Sequence, residues 1–180
     1  AGKARAQALR ALGEIESFEL DAAVSYANNT KETSLRSEAT RLAPKVKPVG
    51  AINKLESVLT KGSLKEQQSA LIALGELKDS GADKILNKWL EKLIAKKVPA
   101  ALTLELLEAA TKRSDEKIKA KLKSFNESRP DPRQNFFALE PYFETLEGGN
   151  AEKGKKVFYE NVALSCVRCH VINGQGGEVG

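Results

Sequence analysis

The stretch Ala8–Ile15, with the sequence ALRALGEI, recurs almost unchanged as Ala70–Leu77, with the sequence ALIALGEL. A weaker copy, ATRLAPKV at Ala39–Val46, lies midway between the two. The copies are spaced by about thirty residues, a length that suits one pair of helices per unit. This repetition predicts an architecture built from successive helix pairs.

The second helix of each unit also repeats its apolar positions. These positions hold Val24, Leu55 and Leu86 and, three residues later, Ala27, Val58 and Trp89. Spacings of three and four residues are typical of a buried helix face and do not fit a strand. Between Ile118 and Phe125, apolar residues alternate with lysines as they would in a strand, but the same residues also fit one helix face. The repeat context favours a helix there.

Local signals set the expected boundaries. We predict helices near residues 2–14, 18–27, 32–44, 48–60, 63–77, 82–96, 99–112 and 115–126, and a short amphipathic helix within 149–159. Pro48 and Pro99 suit first helical turns, and Gly62 and Gly81 are expected between helices. A polar stretch with two prolines, at 126–135, indicates a domain boundary. We therefore divide the chain into a helical domain at 1–126, a linker and aromatic-rich segment at 127–148, and a small domain at 149–180.

Paired helices of this length, with a leucine-rich inner stripe and small residues near the helix ends, resemble the HEAT-repeat family of α-solenoids over roughly residues 2–126. The resemblance implies an all-α fold of stacked helix pairs. Tetratricopeptide repeats have a slightly longer period and a residue signature not found here, and an ordinary helical bundle is the other alternative. The aromatic-rich segment is expected to cap the last repeat or to bind a partner; its aromatic residues are Phe136, Phe137, Tyr142 and Phe143.

Both cysteines and the single histidine of the chain fall within five residues, Cys166-Val167-Arg168-Cys169-His170. A Cys-x-x-Cys-His run on a helical turn can attach two thiols to the vinyl groups of one porphyrin while the adjacent imidazole reaches the iron. We therefore predict covalent haem c at Cys166 and Cys169, with His170 as the metal ligand. A zinc site would be short of ligands, a thioredoxin-type pair would need a preceding strand, and inert thiols are the third alternative.

The stretch from Gly149 to Gly180 resembles the N-terminal part of class I cytochromes c. Gly154 and Phe158 match the first helix of that family, whose glycine and aromatic residue pack across a closing helix. The glycine-rich loop that follows the haem motif in the family is matched by Gly174, Gly176 and Gly177. The resemblance implies thioether bonds at both cysteines and a proximal histidine. The usual distal Met cannot come from this sequence, which has no Met and only one His, so we expect a truncated cytochrome c-like segment.

The order of repeats and then cytochrome resembles large secreted bacterial proteins in which a dehydrogenase-like β-propeller precedes HEAT repeats and a cytochrome domain. The resemblance implies that this chain is part of a longer, periplasmic or exported protein that transfers electrons through haem c, with the repeats as scaffold. An upstream dehydrogenase domain or a redox protein would be its partner. The alternative is a protein-interaction scaffold without redox activity, whose repeats bind a protein ligand. The chain offers no catalytic constellation, so enzymatic activity stays open.

The charge and hydropathy of the chain limit its other partners. The net charge of +5 favours acidic partners. The lysine runs of the chain are accompanied by no nucleic-acid-binding motif. We therefore expect the lysines to be solvated and no nucleic acid to bind. No apolar run is long enough to suggest a membrane span.

Overall fold

The computed structural model describes residues 2–129, 140–177 and 179. Over these residues the fold is all-α, as predicted, and no strand forms. Two compact units divide the chain, Ala1–Glu147 and Gly148–Gly180. The helices of the first unit are α1 (Gly2–Glu14), α2 (Leu20–Asn28), α3 (Thr33–Val46), α4 (Ala51–Lys61), α5 (Leu64–Glu76), α6 (Ser80–Ile94), α7 (Ala100–Thr111) and α8 (Glu116–Glu127), followed by a 3-10 helix at Glu140–Thr145. The second unit contains α9 (Ala151–Glu160) and a 3-10 helix at Cys166–Arg168.

The helices of the first unit lie in two rows. The helices α1, α3, α5 and α7 contact one another in succession, and α4, α6 and α8 do the same in the second row. Each helix also contacts its neighbour in the chain. Helices α3 to α8 therefore pack both along their row and across to the other row, and α2 packs against α1 and α3.

The apolar positions that repeat in the sequence form the core between the rows. Val24, Leu55 and Leu86 are all buried, with exposed fractions of 4%, 0% and 0%. Burying a side chain of this size contributes about 1.5–3 kcal/mol to folding. The ambiguous segment is helical, as predicted, because Ile118 is fully buried while Leu122 and Phe125 pack against the same core.

A repeated glycine sets how closely two helices of one row approach. A Cβ atom on Gly75 of α5 would lie 2.7 Å from the Cα atom of Ala109 in α7. That separation is too short for any side chain, so glycine is required for α5 and α7 to pack at this distance. The equivalent Gly13 of α1 faces the Leu42 side chain of α3 instead of helix backbone.

The starts of α4 and α6 differ from the predicted boundaries for reasons that the structure shows. Pro48 does not lie in a first helical turn: it precedes a turn closed by Gly50, whose φ of +85° needs glycine, and α4 begins only at Ala51. Gly81 does not separate two helices but lies in the first turn of α6, where its backbone N–H donates to the Asp79 side chain. An aspartate N-cap thus starts α6 earlier than its apolar stripe suggests.

Adjacent helices of the first row are joined by ion pairs. The Glu38 side chain of α3 is only 6% exposed and accepts hydrogen bonds from Arg10 of α1, at 2.8 Å, and from Arg41, at 2.6 Å. Burial alone would raise the pKa of the Glu38 carboxyl, but these guanidinium groups outweigh burial and hold the pKa below its ordinary value. Glu38 is therefore charged at neutral pH although it is buried.

After α8, the described chain resumes in the 3-10 helix, which contacts α7. The Arg129 guanidinium donates twice to the Glu144 carboxylate, at 2.7 and 3.2 Å. Of the aromatic residues in the predicted capping segment, Phe136 and Phe137 lie outside the described residues. Among the residues that are described, no helix is both long enough and apolar enough to cross a bilayer.

Candidate functional site

Helix α9 leads into the predicted haem motif. Asn150 caps it, because the Asn150 side chain accepts a hydrogen bond from the Lys153 backbone N–H at 2.9 Å. Near its C-terminal end, Phe158 and Tyr159 are half-buried and their rings meet edge to face, with centroids 5.0 Å apart. This aromatic pair is the best-packed part of the helix.

The Cys-x-x-Cys-His motif forms one tight turn. Ser165 opens the turn with a left-handed φ of +48°, and its backbone N–H donates to the Asn161 carbonyl at 2.9 Å. The Cys166 carbonyl then accepts from the backbone N–H groups of both Cys169, at 3.2 Å, and His170, at 3.0 Å. Backbone hydrogen bonds therefore hold the two cysteines and the histidine together on a single turn.

The predicted site residues are accessible. Both cysteines are free thiols; Cys166 is half-buried, and Cys169 and His170 are exposed. The two thiols form no disulfide with each other. In the described part of the chain, no three side chains from His, Cys, Asp or Glu are grouped as metal ligands.

The chain after His170 folds back over the motif through a closed loop. Ile172 and Gln175 exchange two backbone hydrogen bonds of 3.1 Å around Asn173 and Gly174, whose φ angles are +53° and +76°. Two left-handed central residues make this a type I′ turn, for which Asn-Gly is the preferred sequence. The turn directs the following glycines towards the motif.

Two glycines of the predicted loop pack directly on the motif backbone. A Cβ atom on Gly176, whose φ is +134°, would overlap the carbonyl oxygen of His170. A Cβ atom on Gly177 would overlap the carbonyl oxygen of Arg168, and the Gly177 N–H donates to the Val167 carbonyl at 2.8 Å. These positions admit only glycine because backbone meets backbone there.

The sequence did not single out one residue of this arrangement, Tyr159. Its hydroxyl donates to the Ile172 carbonyl at 2.9 Å and so ties the end of α9 to the loop after the motif. Tyr159 follows Phe158, which the family resemblance singles out, but no pattern in the sequence indicates that the tyrosine hydroxyl forms such a bond. Gly154, which the family resemblance assigns to helix packing, has open space around it, since a Cβ atom there would meet nothing within 4 Å.

The second unit keeps its apolar side chains near the surface. None of its described residues is fully buried. The most exposed apolar side chains, all between 44% and 88% exposed, are Val157, Val162, Leu164, Val171 and Ile172, together with Val179 at 82%. No protein-family model, curated protein or solved structure matches this chain.

Proposed function

We propose that the second unit binds haem c covalently through Cys166 and Cys169, with His170 as an iron ligand, and that the protein transfers electrons through it. The observation that carries the proposal is the single hydrogen-bonded turn whose backbone holds Cys166, Cys169 and His170, with both cysteines as free thiols. Two thiols three residues apart followed directly by a histidine are the attachment pattern of c-type haem.

The residues around the turn fit such a group. Gly176 and Gly177 pack on the backbone of the motif, and neither glycine has a side chain that could occupy the space beside the cysteines and the histidine. Exposed apolar side chains before and after the turn, such as Leu164 and Val171, supply the apolar contacts that a porphyrin requires. These side chains would become buried when a large flat apolar group packs against them.

Each part of the chain has a separate task in this proposal. Haem c supplies one-electron transfer between the ferric and ferrous states when it is bound. Cys166 and Cys169 hold the group by thioether bonds, and His170 supplies a nitrogen ligand whose basicity and placement help set the potential. The backbone hydrogen bonds that close the turn hold these three residues in one arrangement before the haem is attached.

We further propose that the first unit is a HEAT-like α-solenoid that acts as the scaffold of this electron carrier. The two rows of helices and the burial of equivalent repeat positions support it. A cytochrome domain on such a scaffold serves a redox protein or an upstream dehydrogenase domain, in a periplasmic or exported bacterial protein. The resemblance to secreted multidomain proteins is the basis for this location.

The haem proposal is tested by expressing the chain for export in a host that attaches haem c and recording a pyridine haemochrome spectrum. We expect the bands of haem c in stoichiometric amount, and their loss in a Cys166→Ser/Cys169→Ser variant. Cys169→Ser alone should retain a single thioether link and a shifted spectrum. A colourless wild-type protein whose two thiols both react with an alkylating reagent would contradict the proposal.

A second candidate function, as a protein-interaction scaffold, is favoured by a groove of about 400 Å³ across α1, α3, α5 and α7. Its lining includes the polar side chains of Arg10, Lys65, Gln68 and Glu105. Lys65→Glu should abolish capture of a protein that the wild type retains, whereas Lys61→Glu, which makes the same charge change outside the groove, should not. Equal capture by both variants would remove the groove as the binding surface.

A further inference from the structure

We propose that Tyr159 is a positioning residue for His170: through its hydroxyl, α9 holds the loop that fixes the backbone on the C-terminal side of the iron ligand. The inference rests on the proposed function, since it assigns His170 to the iron. It adds a residue outside the Cys-x-x-Cys-His motif to the haem site.

The backbone before His170 is already fixed. Its N–H donates to the Cys166 carbonyl at 3.0 Å, within the turn that Asn161 and Ser165 open. On this side the His170 backbone is therefore held by the turn itself. What restrains the histidine from the other side must come from the chain that follows it.

Two contacts restrain the chain after His170. Gly176 packs against the His170 carbonyl, and the Ile172–Gln175 pair closes the turn between them. This turn is exposed: Val171 and Ile172 are each 44% exposed, and no described residue of the unit is buried. A turn of four residues without a core beneath it opens easily on its own, because a single hairpin is at best marginally stable in water.

Tyr159 provides the anchor that the turn lacks. Its ring is half-buried and held edge to face by Phe158, so the hydroxyl is presented from a fixed position at the end of a capped helix. The hydroxyl donates to the Ile172 carbonyl at 2.9 Å, two residues beyond the histidine. The bond therefore links the helix that precedes the motif to the segment that follows it. His170 lies in the chain between these two linked segments.

The test compares Tyr159→Phe with wild-type protein, both matured with haem, and uses Tyr26→Phe as the matched control. Tyr26 lies on α2 and is 63% exposed, so that the same hydroxyl is lost far from the motif in sequence. Two quantities are measured: amide hydrogen exchange over residues 171–175, and the iron–histidine stretching band of the ferrous protein by resonance Raman spectroscopy. The frequency of the iron–histidine band reports the placement of His170 and does not respond to the overall stability of the protein.

Loss of one hydrogen bond should accelerate exchange over residues 171–175 by about three- to tenfold. The iron–histidine band should broaden or shift in Tyr159→Phe and stay unchanged in Tyr26→Phe, with full haem content in both variants. If Tyr159→Phe matches the wild type in both measurements, Tyr159 has no positioning role although the haem proposal stands. If the wild-type protein carries no haem, the proposed function and this inference are both refuted.

Discussion

Replacing Gly176 by alanine should disrupt the haem motif without touching any of its five residues. A Cβ atom at this position would overlap the His170 carbonyl oxygen, and the φ of +134° belongs to a region that only glycine adopts readily. The strained backbone costs about 1–3 kcal/mol. The overlap adds a packing cost of about 1–3 kcal/mol.

Two other glycines of the same unit provide a graded comparison. Gly174 has a left-handed φ of +76° but open space around it, so Gly174→Ala should cost about 1 kcal/mol. Gly154 lies in α9 with open space and ordinary helical backbone, so Gly154→Ala should stabilise the helix by about 0.8 kcal/mol. The three variants thus add the same methyl group at positions where the expected change in the free energy of unfolding differs.

The assay is haem c content per polypeptide after maturation, together with amide exchange over residues 166–177. A total cost of about 3 kcal/mol for Gly176→Ala corresponds to an opening equilibrium raised roughly a hundredfold. We expect haem content to fall in the order Gly154→Ala, Gly174→Ala, Gly176→Ala. Wild-type haem content and exchange in Gly176→Ala would refute the packing of this loop on the motif.

Three predictions concern the first unit, each measured by thermal or urea unfolding of the whole chain. Glu38→Gln should lose about 2 kcal/mol at neutral pH, whereas Glu127→Gln, which breaks an exposed pair, should lose less than about 0.5 kcal/mol. Because the folded-state pKa of Glu38 lies below the ordinary pKa of a glutamate side chain, the stabilisation by Glu38 is full above that ordinary pKa and is lost as the pH falls through the folded-state pKa. Gly75→Ala should destabilise by about 1–2 kcal/mol, since overlap with α7 exceeds the gain in helix propensity. Leu74→Ala, at a fully buried position, should cost about 2–5 kcal/mol and the 41% exposed Leu64→Ala at most about 1 kcal/mol.

Each of these has an outcome that would count against it. If the gap in stability between wild type and Glu38→Gln stays constant as the pH falls below the ordinary pKa of a glutamate side chain, the charged pairing with Arg10 and Arg41 is not what stabilises α3. A stabilised Gly75→Ala would mean that α5 and α7 do not approach as closely as the structure has them. Equal losses for Leu74→Ala and Leu64→Ala would contradict the assignment of the core.

The helices of the first unit were predictable because their signal is local and strong. Apolar residues at three- and four-residue spacing mark the buried face, and Leu55 and Leu86 are fully buried as that pattern requires. Boundaries were less predictable because caps compete with the apolar pattern. The Asp79 side chain starts α6 before its first large apolar residue, and the Gly50 turn delays α4 past Pro48.

Contacts between residues that are distant in the sequence could not be predicted from it. Nothing in the local pattern shows that Glu38 is buried, because its partner Arg10 lies on another helix. At the motif, the residue types point to Cys166, Cys169 and His170, and the glycines after them point to a loop. The Tyr159 bond depends on how the loop folds back on α9, which no residue spacing encodes.

The most direct measurement of the central claim is a mass map of the exported, matured protein. Cleavage after glutamate releases residues 161–178 as one peptide that holds both cysteines and the histidine. We predict that this peptide carries the added mass of one haem and no thiol open to alkylation. The same peptide at its unmodified mass, with two alkylated cysteines, would contradict covalent haem attachment at this site.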